Sequence, residues 1–210
     1  MKSIYKVVAA LLLMMVAVWE TACQKEGDIK IHTYVDLGLP SGTLWATTNV
    51  GADSPEKTGD RFAWGEILTK DAFTKDNYKY YSGEGYTKYS VEIGLDELLP
   101  EDDAALVQWQ GDWRMPTYED WSELVGNTTQ SEVVKNGVTG RMFTGRNGRS
   151  VFMPMTVGVQ DESRNDAFYW SCSLLQTEVS WCLGFNAAGV ASMCYYPREM
   201  GGLVRPVRSK

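Results

Sequence analysis

Two Asn-Gly steps set the strongest limits on how this chain folds. Asn147-Gly148 lies between Met142-Phe143-Thr144 and Val151-Phe152-Met153, and Asn136-Gly137 stands shortly before it. Asn-Gly readily takes the left-handed backbone that a tight hairpin turn demands, so both steps predict antiparallel strand pairs, the second more strongly. Upstream the pattern is helical. Pro100-Glu101-Asp102-Asp103 places proline and acids at a helix start, with Ala105, Leu106 and Trp109 at helical spacing behind them. Thr117 is a good N-cap, Glu119 and Asp120 suit a first turn, and Tyr118, Trp121, Leu124 and Val125 share one face up to Gly126. Short extended segments are expected at 34–39, 43–50 and 59–66. The Tyr- and Lys-rich residues 69–90 read as a long surface excursion. Few helices followed by many strands predict an α+β class. With no internal repeat and no second apolar core, one domain over 33–210 is the expectation.

The first 22 residues have another character. Lys2 and Lys6 precede an unbroken apolar run from Val7 to Trp19. That run is shorter than the roughly 20 residues a bilayer-spanning helix needs and has the size of a signal-peptide core. Thr21-Ala22-Cys23 resembles a bacterial lipobox, although Glu20 stands where such boxes usually carry Leu. The resemblance implies a signal peptide over 1–22, acylation of Cys23, and a tether over 23–32. The polar Gln24-Lys25-Glu26-Gly27-Asp28 is similar to the tethers of surface-facing lipoproteins of Bacteroidetes type, which implies an outer-membrane lipoprotein facing outward. Ordinary cleavage near Ala22 is the plainer alternative.

A net charge of −7 with scattered Lys and Arg gives no electrostatic footprint for nucleic acid. Eight Trp and eleven Tyr tilt toward a binding surface, since these rings bury much area with few rotatable bonds. Beyond Cys23 the cysteines are Cys172, Cys182 and Cys194, with no Cys-x-x-Cys pair, so neither a zinc site nor a thioredoxin-type motif is indicated. One disulfide among the three, or three free thiols, both fit. The only histidine is His32, which removes Ser-His-Asp, Cys-His and His-based metal chemistry.

A family resemblance runs through the whole domain. Tyr34 to Ala46 with Asn49-Val50-Gly51-Ala52 resembles the opening of FISUMP-type domains, the major paralogous family of Fibrobacter. Phe62-Ala63-Trp64-Gly65-Glu66, Asp102-Asp103-Ala104-Ala105, Trp113-Arg114-Met115-Pro116-Thr117, Phe143-Thr144-Gly145, Tyr169-Trp170-Ser171 and Val204 to Arg208 follow in order. The resemblance implies a C-type-lectin-like single domain with two short helices and a twisted, mainly antiparallel sheet. It also implies surface display and ligand binding, without naming a ligand. The related formylglycine-generating enzymes use a cysteine pair, but no neighbour here argues for a lowered thiol pKa. Asp161, Glu162, Asn165 and Asp166 form the best calcium-like loop, yet the tripeptides of calcium-dependent sugar-binding lectins are missing. No metal, cofactor or enzymatic activity is expected.

The tail carries the functional expectation. Trp181, Leu183 and Phe185 alternate with Cys182, Gly184 and Asn186; the first three are assigned to the core and the others to the opposite, exposed face. The stretch resembles the variable region of diversity-generating retroelement targets. On that resemblance Cys172, Cys182, Gly184, Asn186, Ala188, Ala191, Met193, Cys194, Tyr195, Tyr196, Glu199 and Met200 form a ligand-binding surface. The expected function is a non-enzymatic surface lipoprotein binding a protein or glycan ligand; the alternative is a structural, fimbria-associated envelope subunit.

Overall fold

The computed structural model describes residues 31–155, 168–185 and 188–210. The expected signal peptide over 1–22, Cys23, residues 24–30 of the expected tether, the calcium candidates Asp161, Glu162, Asn165 and Asp166, and Asn186 lie outside the described residues. His32–Lys210 forms one unit, and its class is α+β. In chain order it contains β1 (Tyr34–Asp36), β2 (Leu44–Ala46), β3 (Arg61–Phe62), α1 (Ala104–Trp109), α2 (Tyr118–Asn127), β4 (Thr128–Lys135), β5 (Val138–Gly145) and β6 (Ser150–Pro154). β7 (Phe168–Gln176), β8 (Val179–Phe185), β9 (Ala191–Pro197), β10 (Gly202–Leu203) and β11 (Val207–Arg208) follow.

Both hairpin expectations hold. At Asn136-Gly137, Lys135 pairs directly with Val138, and the two turn residues have φ of 51° and 82°. Left-handed backbone at both central positions matches the twist of the flanking strands, so the first hairpin is the tighter one. The second closes from Thr144 to Ser150 around a wider loop in which Gly148 takes φ 78°. Together β4, β5 and β6 make a three-stranded antiparallel sheet.

The helices begin where capping chemistry places them. Thr117 Oγ1 accepts the Asp120 N–H at 3.1 Å and Asp120 accepts the Thr117 N–H at 2.9 Å, a closed capping box. α2 extends one residue past Gly126 and buries Trp121 and Leu124. The acidic start at 100–103 is divided in two: Pro100–Asp102 makes a single 3-10 turn, and Asp103 then caps α1 by accepting from Ala105 and Leu106. Asp103 also accepts the Met115 N–H at 2.8 Å, which ties α1 to the approach to α2.

Five strands in the order β3-β10-β7-β8-β9 form the central sheet, antiparallel except for the β10–β7 pair. A third sheet, β1-β2-β11, joins the first and last strands of the unit. The central sheet is buried on both faces. On one, Tyr169, Leu183 and Phe185 pack with Trp121 and Leu124 of α2. On the other, Trp170, Cys172 and Cys182 pack with Trp64, Tyr78, Tyr80 and Tyr89. Residues 69–90 are therefore not the surface excursion expected of them. Their tyrosines form one wall of the core on the second sheet face, beside Ala104 and Ala105 of the short helix α1.

Arg198 organises that wall. Its guanidinium is fully buried and donates to Tyr78 Oη at 3.1 Å and to the carbonyls of Tyr89, Thr177 and Lys88 at 3.2, 2.9 and 2.8 Å. Trp64 and Tyr86 stand over it with ring centroids 5.0 and 4.8 Å away. Carbonyl dipoles and ring faces take the place of a carboxylate counterion here. Arg205 is buried in the same manner, held by Asn49 Oδ1 and the carbonyls of Ala46 and Phe152; burial pushes its pKa down to about 10.

Candidate functional site

Two-sided burial changes how the C-terminal stretch must be read. Cys182 is fully buried in the tyrosine-covered face and bonded to Cys194, its cross-strand partner in β9 and 12 residues away. Cys172 is buried as a free thiol, and burial pushes its pKa well above the usual range. The expectation of surface cysteines is therefore corrected at Cys172 and Cys182, which are buried, while Cys194 is half-buried and bonded. Two of them staple β8 to β9, and the third is a small apolar core residue. Neither arrangement supplies a reactive thiol pair.

Other expected surface positions also turn inward. Ala191 is buried, and its N–H and carbonyl are both engaged by the Gln130 side-chain amide, at 3.0 and 3.4 Å. Tyr196 stacks on Phe168 at 4.3 Å between centroids. Met193 and Met200 are half-buried, packing against the two cores, and Glu199 accepts from Tyr86 Oη at 3.3 Å. Gly184 leaves room for the disulfide, since a Cβ there would lie 2.8 Å from Cys194 Sγ. Ala188 is exposed and its carbonyl accepts from Arg141 at 3.2 Å. Of the predicted positions among the described residues, Tyr195 alone offers a large exposed side chain, with 60% of its surface open.

Trp181 is the reverse case. It shares a strand face with the buried Leu183 and Phe185, yet it is only half-buried. The reason is the length of α2, whose N-terminal residue Tyr118 packs on Trp181 with ring centroids 4.7 Å apart. Beyond that point the helix no longer covers the sheet. Trp181 and its cross-strand partner Tyr195, with ring centroids 6.4 Å apart, continue the aromatic row into solvent.

At the uncovered end lies an open groove of about 490 Å³. Trp181 and Tyr118 form one side, Asp96 and Glu97 the other, and Glu119 stands at the start of α2. Main-chain bonds hold the far wall: Leu98 N–H donates to the Cys172 carbonyl at 3.0 Å and Leu174 N–H to the Asp96 carbonyl at 2.6 Å. Residues 96–98 thereby run beside β7 like a further short strand. Ser173, on the groove floor, accepts the Tyr118 N–H at 3.1 Å and fixes the helix end against β7.

Sequence reasoning missed this groove. Trp181 and Tyr118 were both assigned to apolar core faces. Asp96, Glu97 and Glu119 come from two separate segments that only the tertiary fold joins. The available signal was the short distance from the Thr117 cap to Tyr118, which puts that ring at a helix end and not over its middle.

No family model, no curated protein and no solved structure matches this chain.

Proposed function

We propose that this chain is an exported, non-enzymatic binding module that takes a ligand on the uncovered end of its central sheet. One observation carries the reading. Trp181 and Tyr195 extend past the end of α2 as an aromatic pair, Tyr195 exposed to solvent and Trp181 lining an open groove. A half-buried Trp with an exposed Tyr on a stapled strand pair is a rigid platform that loses little entropy on binding. The Cys182–Cys194 bond serves the same end by fixing β9, the edge strand that carries Tyr195.

The FISUMP resemblance supports a C-type-lectin-like arrangement for this domain and a protein or glycan ligand. The Cys23 lipobox supports display on the outer membrane through a lipid anchor, with His32 marking where the tether meets the domain. Retroelement diversification is narrower in this reading than the tail alone suggests. Its room for change lies at exposed positions such as Tyr195, Ser192 and Ala188, because Cys172, Cys182 and Ala191 are core.

Array screening of the full chain against glycans and peptides, repeated with Tyr195→Ala, tests the site. Ligands bound by the wild type and lost by a normally folded variant support it. Full retention of every ligand by that variant refutes it. Loss of filaments on gene deletion, with no ligand on any array, favours an assembly subunit instead. Incorporation of a labelled fatty acid that disappears in Cys23→Ala tests the anchor.

A further inference from the structure

Resting on the reading above, the geometry points to a specific ligand chemistry: we infer that the groove takes the basic side chain of a protein ligand, an arginine or lysine. The groove's polar side chains are dominated by the acceptor-only carboxylates of Asp96, Glu97 and Glu119, and among the described residues no Lys, Arg, Asn or Gln lines it. None of the three carboxylates has an ion-pair partner among the described residues. A guanidinium or ammonium offers donors and no acceptor, so it matches such a lining. A sugar hydroxyl both donates and accepts, and it would find few donors here.

A bare metal ion fits less well. Among the described residues no group of three acidic, Cys or His side chains converges closely enough to hold one. The carboxylates are instead spread around a recess of about 490 Å³ that is also lined by the tilted Tyr118–Trp181 ring pair. An elongated organic cation uses both halves at once. Its methylene stem lies along the aromatic rings, where cation–π attraction adds to apolar contact, and its charged end reaches the carboxylates. The exposed Tyr195 ring, next in the row, is placed to cover the adjoining residue of the same peptide. The net charge of −7 adds long-range attraction for a basic partner.

The test is calorimetric titration of the full chain with a hexapeptide carrying three arginines and with its citrulline counterpart, which keeps the shape and removes the charge. The arginine peptide is expected to bind at least about ten-fold more tightly. The groove variant Asp96→Asn/Glu97→Gln/Glu119→Gln is expected to lose about ten-fold or more of that affinity. A variant with the same change of charge elsewhere, Asp71→Asn/Asp76→Asn/Glu84→Gln, is expected to keep it within about two-fold. Equal binding of the two peptides, equal loss in the two variants, or no binding of the arginine peptide overturns the inference. If an array ligand without basic groups depends on Tyr195 while the arginine peptide ignores the groove, the binding face stands and only its basic ligand falls.

Discussion

Tyr195 and Tyr196 are neighbours in β9 that point to opposite faces of the central sheet. The Tyr195 ring is 60% exposed, 6.4 Å from Trp181 in an edge arrangement, whereas the Tyr196 ring lies on Phe168 at 4.3 Å and 17°. One position belongs to the binding platform and the other to the core that supports it. Tyr195→Ala is expected to leave stability within about 0.5 kcal/mol, and Tyr196→Ala to cost about 2 kcal/mol. Urea unfolding of the two single variants separates them. Similar losses for both would contradict the assignment of faces.

The disulfide and the remaining thiol make a second prediction. Reducing Cys182–Cys194, which closes a short loop, is expected to cost about 2–3 kcal/mol. Cys172 is expected to resist alkylation in the native protein and to react fully in denaturant, because burial both hides the thiol and disfavours its thiolate. Mass spectrometry after alkylation with and without urea reads this directly. Modification of Cys172 under native conditions would put it at the surface after all.

Asp102 sets an acid limit on stability. Burial alone would raise its pKa, but hydrogen bonds from Lys88, Tyr89 and Lys79 outweigh that and hold the carboxyl well below its usual range. Lys88 Nζ stands 2.5 Å from one carboxylate oxygen and Tyr89 Oη 2.6 Å from the same one. A depressed folded pKa gives stability that is fully present above the unfolded value, near pH 4, and is lost as pH falls toward the folded value. Asp102→Asn is expected to be less stable than the wild type at pH 7 and to lose less further stability between about pH 4 and pH 2. Parallel loss of stability in both proteins would remove Asp102 from the account.

Arg198 makes the prediction for the tyrosine wall. Its four hydrogen bonds diverge to one hydroxyl and three carbonyls, a spread that a planar guanidinium supplies and an ammonium does not. Arg198→Lys is expected to cost about 3 kcal/mol despite keeping the charge, since buried carbonyls lose their donors. Thermal unfolding measures it. A change below about 1 kcal/mol would show that the rings and not the hydrogen bonds hold the residue.

How far the residues announced this fold follows from how local each signal is. The Asn136-Gly137 turn, the Thr117 N-cap and the α2 face of Trp121 and Leu124 depend on neighbours within four positions, and all were legible. Tyr78 and Tyr89 were not, because their partner Arg198 lies more than a hundred residues away and no periodicity links them. Cys182 was misplaced for a related reason. Alternation in β8 tells which residues share a face, but only the segment covering the second face decides whether that face meets water. The groove combines both difficulties, since its acids and its aromatic rings come from separate segments and the end of α2 decides what stays uncovered.

Population sequencing of the gene is expected to show variation, where it occurs in the tail, at exposed codons such as Ser192 and Tyr195. Cys182, Cys194, Leu183 and Arg198 are expected to remain fixed, because they are buried or bonded. Variation concentrated at the Cys182 and Cys194 codons would contradict the buried staple.

The most direct test of the central claim is a comparison of ligand capture by the wild-type chain and by Trp181→Ala/Tyr195→Ala on one combined peptide and glycan array, with circular dichroism to verify folding. The account predicts that every ligand captured by the wild type is lost by the folded double variant. Retention of those ligands by the folded variant would place binding elsewhere on the molecule and contradict it.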